Sequence, residues 1–107
     1  MPTVVEIDGY TQWGCFRAKE GGWVAVCDAL KLTVQAETWA ELVEDIGLTQ
    51  DAIFRDLQNS NELLRFLADH GWKAGRPIPD QAQDLRFDMP FFAAMMDAHG
   101  LQGKLHQ

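Results

Sequence analysis

Near Thr38 the spacing of apolar residues in this chain changes from two to between three and four. Leu32-Thr33-Val34-Gln35-Ala36 alternates apolar with polar side chains, as a strand with one buried face does. Trp39, Leu42, Val43 and Ile46 then fall at i, i+3, i+4 and i+7, the stripe of an amphipathic helix. Thr38 followed three residues on by Glu41 is a capping-box pattern placed at the switch. A chain that runs through strand periodicity and then helix periodicity belongs to the α+β class.

Upstream of the switch, residues 13–19 and 22–27 are two β-favouring runs separated by Glu20-Gly21-Gly22, which reads as a hairpin with a glycine turn. Asp28-Ala29-Leu30 separates the second run from the third strand, 32–36, giving an antiparallel meander. Residues 3–7 either extend the first strand or precede it as a separate one. Downstream, the spacing predicts a helix over about 38–58, with Gly47 costing about 1 kcal/mol relative to alanine and allowing a kink or a second start near Thr49. Asn59-Ser60-Asn61-Glu62 is suited to cap a short helix whose stripe is Leu63, Leu64 and Leu67 and which stops at His70-Gly71. Residues 73–79, with Gly75, Pro77 and Pro79, read as a connector. Leu85, Phe87, Met89, Phe91, Ala93 and Met95 then alternate as one last strand that bends at Pro90. The expected architecture is α+β: a three-stranded antiparallel sheet followed by a helix packed on one face (βββα), a second short helix and a C-terminal strand. It is expected to form a single domain over 1–107, with its core at about 3–71 and the C-terminal strand and tail at 80–107.

A chain of 107 residues with 47% hydrophobic content buries enough surface to fold without metal or disulfide staples. Cys15 and Cys27 lack C-x-x-C spacing and a nearby histidine, and each lies in an apolar run, so they read as buried thiols. The start, Met1-Pro2-Thr3-Val4-Val5-Glu6, has neither a basic nor an apolar leader region, and no run of 18 apolar residues occurs; the expectation is a cytoplasmic protein away from membranes. The net charge of −7 sets a repulsive field against phosphate backbones and argues against direct nucleic-acid binding.

Catalytic chemistry finds little support. A two-metal nuclease needs carboxylates converging on strand centres, and the candidates Asp28, Glu20, Asp84 and Asp88 lie at turns or far apart in sequence. His70, His99 and His106 include no H-x-x-x-H pair, Ser60 has no G-x-S-x-G context, and Gly21-Gly22 is too short to cradle phosphate. Trp13, Trp23, Trp39 and Trp72 lack the basic groove that a base-stacking platform requires. No catalytic, cofactor-binding or metal-binding residue is assigned, and the chain reads as a non-enzyme that needs no cofactor.

Two surfaces remain. Between Glu37 and Glu62 the carboxylates Glu37, Glu41, Glu44, Asp45, Asp51, Asp56 and Glu62 face the single cation Arg55, a balance that is either the solvated face of a helix keeping the chain soluble or a surface suited to a basic partner, with Glu41, Glu44 and Asp45 as the contact candidates. The run Phe91-Phe92-Ala93-Ala94-Met95-Met96 would be an aggregation hazard on an open edge, so its fate is core burial or a subunit interface, and Phe87, Met89, Phe91 and Phe92 are the candidates for an interface between copies.

The order of hairpin, third strand and capped helix, carrying Gly21-Gly22-Trp23-Val24-Ala25-Val26, Asp28-Ala29-Leu30 and Glu37-Thr38-Trp39-Ala40-Glu41-Leu42, resembles the HicB-like antitoxin family. The resemblance covers roughly residues 13–58, and its motifs are of medium specificity. Members have an aromatic strand of the type G-Y-V-A, a short D-L turn and a T-x-x-E-A helix start; here Lys31 replaces the Pro-Gly that usually follows the turn, and Ala36 the glycine before the helix. Phe87-Asp88-Met89-Pro90 fits a subgroup with an F-D-x-P strand, and residues 72–107 hold only Lys73, Arg76, Arg86 and Lys104 as cations, which points to a member without a DNA-binding C-terminal segment. The resemblance implies a partial RNase H-like fold, homo-oligomerisation as dimer or tetramer, and masking of a small basic RNA-cleaving toxin in a toxin–antitoxin pair. An orphan homo-oligomeric domain of unknown ligand and a metal-dependent nuclease using Asp28 are the alternatives.

Overall fold

In the computed structural model, residues 3–79 and 84–96 are described. The element order is β1 (Thr3–Asp8), β2 (Thr11–Arg17), β3 (Trp23–Cys27), β4 (Leu32–Ala36), α1 (Trp39–Asn59), α2 (Leu63–Asp69), β5 (Lys73–Ala74), β6 (Leu85–Asp88) and β7 (Phe91–Met95). The class is α+β with two helices, as expected. The single three-stranded antiparallel sheet is corrected: the strands form two sheets, a three-stranded one in the order β5-β1-β6 and a four-stranded one in the order β4-β3-β2-β7. The chain divides correspondingly into two compact units, residues 1–11 with 47–90, and residues 12–46 with 91–107.

In the four-stranded unit, β2 and β3 pair antiparallel with Gly14 opposite Val26 and Phe16 opposite Val24, and β3 pairs antiparallel with β4 with Val24 opposite Gln35. The hairpin turn rests on Gly21 and Gly22, both at positive φ, where the Ala18 N–H donates to the Gly22 carbonyl and the Gly21 N–H to the Ala18 carbonyl. A Cβ on Gly22 would stand 2.8 Å from the Ala36 carbonyl oxygen, a backbone atom that cannot swing aside. Gly22→Ala is therefore expected to cost about 2 kcal/mol, from left-handed strain plus the clash, read as a lower urea midpoint at unchanged slope. Lys31 takes the left-handed conformation that closes the next turn, with its N–H donating to the Asp28 carbonyl. The buried apolar side chains of this unit are Trp13, Cys15, Ala25, Cys27, Leu30, Leu42 and Ile46.

The three-stranded unit pairs β1 parallel with β6, Val5 opposite Phe87, and antiparallel with the two-residue β5, Ile7 opposite Ala74. Residues 73–74, expected within a connector, thus make a strand. Its core is Val5, Ile7, Phe54, Leu63, Leu67, Phe87 and Met89. The expected single C-terminal strand is two strands, β6 and β7, one in each sheet. The break falls at Met89-Pro90, because proline has no N–H for a ladder; there the Pro90 carbonyl accepts from the Thr11 N–H and the Met89 carbonyl from Gln50 Nε2.

α1 starts as its capping box dictates: the Glu41 N–H donates to Thr38 Oγ1 and the Thr38 N–H to Glu41 Oε1. It continues unbroken through Gly47. Leu42, Ile46, Gln50 and Phe54 are all buried at four-residue spacing across that position, and burying such a stripe outweighs the ~1 kcal/mol propensity cost of one glycine. The Asn59–Glu62 segment mostly ends α1 rather than capping α2. Asn61 sits at positive φ, its N–H donates to the Gln58 carbonyl and that of Glu62 to the Leu57 carbonyl, a Schellman pattern. α2 ends in the same way at Gly71, with Trp72 N–H donating to the Leu67 carbonyl.

Candidate functional site

Because Trp39, Leu42, Val43 and Ile46 turn inward, helical geometry at 100° per residue sends Glu41 and Glu44 to the opposite side, where both are exposed, with Asp45 half-buried beside them. Glu41 and Asp45 are like-charged neighbours one turn apart on α1. Each such pair costs a few tenths of a kcal/mol within a helix, about 0.2–0.5 kcal/mol. Glu41 recovers part of this through its capping bond. Arg55, the one cation between Glu37 and Glu62, is bound by Asp51 at 3.2 Å, so it does not neutralise the group. Among the described residues, the carboxylates in the first half of α1 form no ion pair with a cation.

The other sequence candidates fall as follows. Phe87 and Met89 are each 3% exposed and belong to the core of the three-stranded unit, Phe91 is half-buried on β7, and Phe92 is exposed. Asp28 is an exposed turn residue of one unit, while Asp84 and Asp88 belong to the other, Asp88 standing opposite Glu6 on the β1–β6 ladder. Among the described residues no group of three or more His, Cys, Asp or Glu side chains is placed to hold a metal ion. Cys15 and Cys27 are buried and free, and burial pushes the Cys15 thiol above its ordinary value of 9.0. Such a thiol stays protonated and is a poor nucleophile.

The tryptophans build structure. Trp13 is in the core, Trp23 and Trp39 meet edge to face at 5.0 Å with the Arg17 guanidinium 5.0 Å above the Trp23 ring, and Trp72 stacks on His70. A recess of about 260 Å³ beside the C-terminal half of α1 is lined by Arg55, Asp56, Gln58, Asn59, Asp84 and others. It is smaller and more polar than the ~300–1,000 Å³ apolar clefts that hold small organic ligands.

Sequence reasoning missed two features. One is a buried polar group on α1: Gln50 accepts from the Thr11 hydroxyl and donates to the Met89 carbonyl, and Asp51 Oδ1 accepts the Phe87 N–H at 2.7 Å. No local signal distinguishes Gln50 from a surface glutamine except its place on the Leu42, Ile46, Phe54 stripe. The other is the outward face of β2 and β3, where Phe16, Val24 and Val26 stand. Its signal was present, because these strands are apolar at both phases of the alternation, the mark of a strand wanted on two sides.

No described helix is long and apolar enough to cross a membrane. In comparisons with known proteins, no family model, no curated protein and no solved structure matches the chain.

Proposed function

We infer that this chain is a non-catalytic binding module that takes up a small basic protein on the acidic face of α1. The observation that carries the reading is the set Glu41, Glu44 and Asp45, held on one helix with mutual repulsion and with no ion pair to a cation among the described residues. Self-repulsion of this kind lowers helix stability and is relieved when a basic surface docks. The resemblance to HicB-like antitoxins supplies the class of partner, a compact basic ribonuclease toxin in the cytoplasm whose active surface would be masked by occlusion rather than altered. Electrostatic pairing of this type raises the association rate and weakens steeply with salt.

The test is a pull-down from the native host at low and high salt, repeated with the triple variant Glu41→Gln, Glu44→Gln, Asp45→Asn. Glutamine at position 41 keeps the capping box, so the variant removes charge without removing the helix start. A small basic protein should bind at low salt and elute at high salt, and the triple variant should weaken it by about tenfold or more at a melting temperature no lower than that of the wild type. Equal binding of wild type and variant would overturn the assignment of the site.

A further inference from the structure

The parallel ladder between β1 and β6 fixes which backbone groups of β6 have strand partners. Thr3 stands opposite Leu85 and its N–H donates to the Asp84 carbonyl, so the N–H and C=O of Arg86 turn toward β1 and those of Leu85 and Phe87 turn away from it. β6 is an outer strand of its sheet, and an outer strand offers such groups to another chain. At the C-terminal end of this edge, α1 supplies side chains in place of a neighbouring strand: Asp51 Oδ1 accepts the Phe87 N–H and Gln50 Nε2 donates to the Met89 carbonyl. The N-terminal end differs. Among the described residues, nothing takes up the Leu85 N–H, the Leu85 carbonyl or the Phe87 carbonyl. Here lies the recess of about 260 Å³, lined by Leu85 and Phe87 from the strand and by Arg55, Asp56, Gln58 and Asn59 from the helix.

We propose that this recess binds an extended, positively charged peptide segment as an added strand on β6. Its lining is what a peptide backbone meets inside a sheet: a donor and an acceptor on Leu85, a further acceptor on Phe87, and the side-chain amides of Gln58 and Asn59 on the helix side. The open stretch from Leu85 to Phe87 is three residues at about 3.3 Å each, so it takes roughly three residues of a guest strand. Beyond it, Gln50 and Asp51 already hold the next edge groups, and the guest strand stops there. Charge selects the sign of the guest. Asp56 and Asp84 line the recess with carboxylates that form no ion pair among the described residues, while Arg55 is already bound by Asp51. A guest lysine or arginine therefore finds partners here, and a guest carboxylate meets repulsion. The site lies on the C-terminal half of α1, away from Glu41, Glu44 and Asp45, and the inference does not depend on the binding reading above.

Two measurements on the full chain test it. In the free protein, the Leu85 amide should exchange with solvent about tenfold or more faster than the Phe87 amide, whose proton Asp51 holds. Titration of the isotope-labelled chain with acetyl-Lys-Val-Lys-Val-Lys-amide, followed by NMR, should then give saturable shifts of the Leu85 and Phe87 amides with a dissociation constant on the order of 1 mM. The same peptide methylated on two successive backbone nitrogens loses its strand donors, and acetyl-Glu-Val-Glu-Val-Glu-amide reverses its charge; each should bind about tenfold more weakly or worse. Ala52→Trp fills the recess from an exposed position of α1 and should weaken the lysine peptide by a similar factor of about ten. The triple variant Glu41→Gln, Glu44→Gln, Asp45→Asn should leave that binding unchanged, which separates this site from the acidic face of α1. A Leu85 amide as protected as that of Phe87 in the free chain would overturn the proposal, because the edge would already be covered. So would an N-methylated peptide that binds as tightly as its parent, or peptide shifts that are abolished in the triple variant and indifferent to Ala52→Trp.

Discussion

Phe54→Ala is expected to lower stability by about 3–5 kcal/mol. Phe54 is fully buried on α1, its ring meeting Phe66 at 6.3 Å and Phe87 at 6.1 Å, both edge to face, with Val5, Ile7, Leu63 and Leu67 in the same core. Truncation removes the transfer energy of the ring and leaves a cavity bounded by two other rings, which cannot collapse into it without abandoning their own contacts. Folded domains of this size hold about 5–15 kcal/mol in total, so this one substitution takes roughly a fifth of the stability or more. Phe54→Leu keeps most of the volume and should recover more than half of the loss. Urea unfolding followed by far-UV circular dichroism, which reports on both helices, provides the measurement. A midpoint for Phe54→Ala within experimental error of wild type would show that the three-ring contact is not what holds this core.

The parts of the fold that could be read from the sequence are those set by local rules. The strand at 32–36 coincides with β4, the helix expected at 38–58 is Trp39–Asn59, and the Thr38–Glu41 box forms reciprocally. Each of these depends on side chains within four residues of one another. The partition of strands between two sheets does not. From Leu85 to Met95 the alternation keeps one phase, and a period of two carries no information about which neighbour a strand finds. Pro90 marked the place of a bend, but that β6 joins β1 while β7 joins β2 is decided by contacts more than seventy residues apart in sequence.

The surfaces divide in the same manner. Glu41, Glu44 and Asp45 could be placed on one helix face from spacing alone, because the apolar stripe fixes the opposite side. Phe87 and Met89 could not be separated from Phe91 and Phe92, since all four are apolar and only the assignment of β6 to the three-stranded sheet buries the first two. Of the four, Phe92 stays exposed on β7, in the same four-stranded sheet as β2 and β3. There Phe16, Val24 and Val26 occupy the phase that the hairpin reading leaves to solvent.

The second large effect belongs to Asp51. Asp51→Ala is expected to cost about 2–3 kcal/mol, and the source of that cost is a backbone group rather than the ion pair. Its Oδ1 accepts the Phe87 N–H at 2.7 Å and its Oδ2 meets Arg55 Nε at 3.2 Å. Removing the carboxylate leaves the Phe87 amide buried with its acceptor gone, a desolvation penalty of about 1–3 kcal/mol, and also forfeits a charge-assisted bond. The Arg55 side is half exposed, so the pair itself contributes little, about 0–1 kcal/mol. Three variants separate the two terms. Arg55→Ala should change stability by no more than about 0.5 kcal/mol, and Asp51→Asn, whose amide oxygen still accepts from Phe87, should lose distinctly less than Asp51→Ala. Amide hydrogen exchange at Phe87 should accelerate in Asp51→Ala and stay close to wild type in Arg55→Ala, because only the first opens the bond that closes the outer side of β6. If Asp51→Ala and Arg55→Ala instead lost equal stability with Phe87 exchange unchanged, Asp51 would act through the ion pair alone. The tie between α1 and β6 would then rest on Gln50, whose amide reaches the Met89 carbonyl two residues further on.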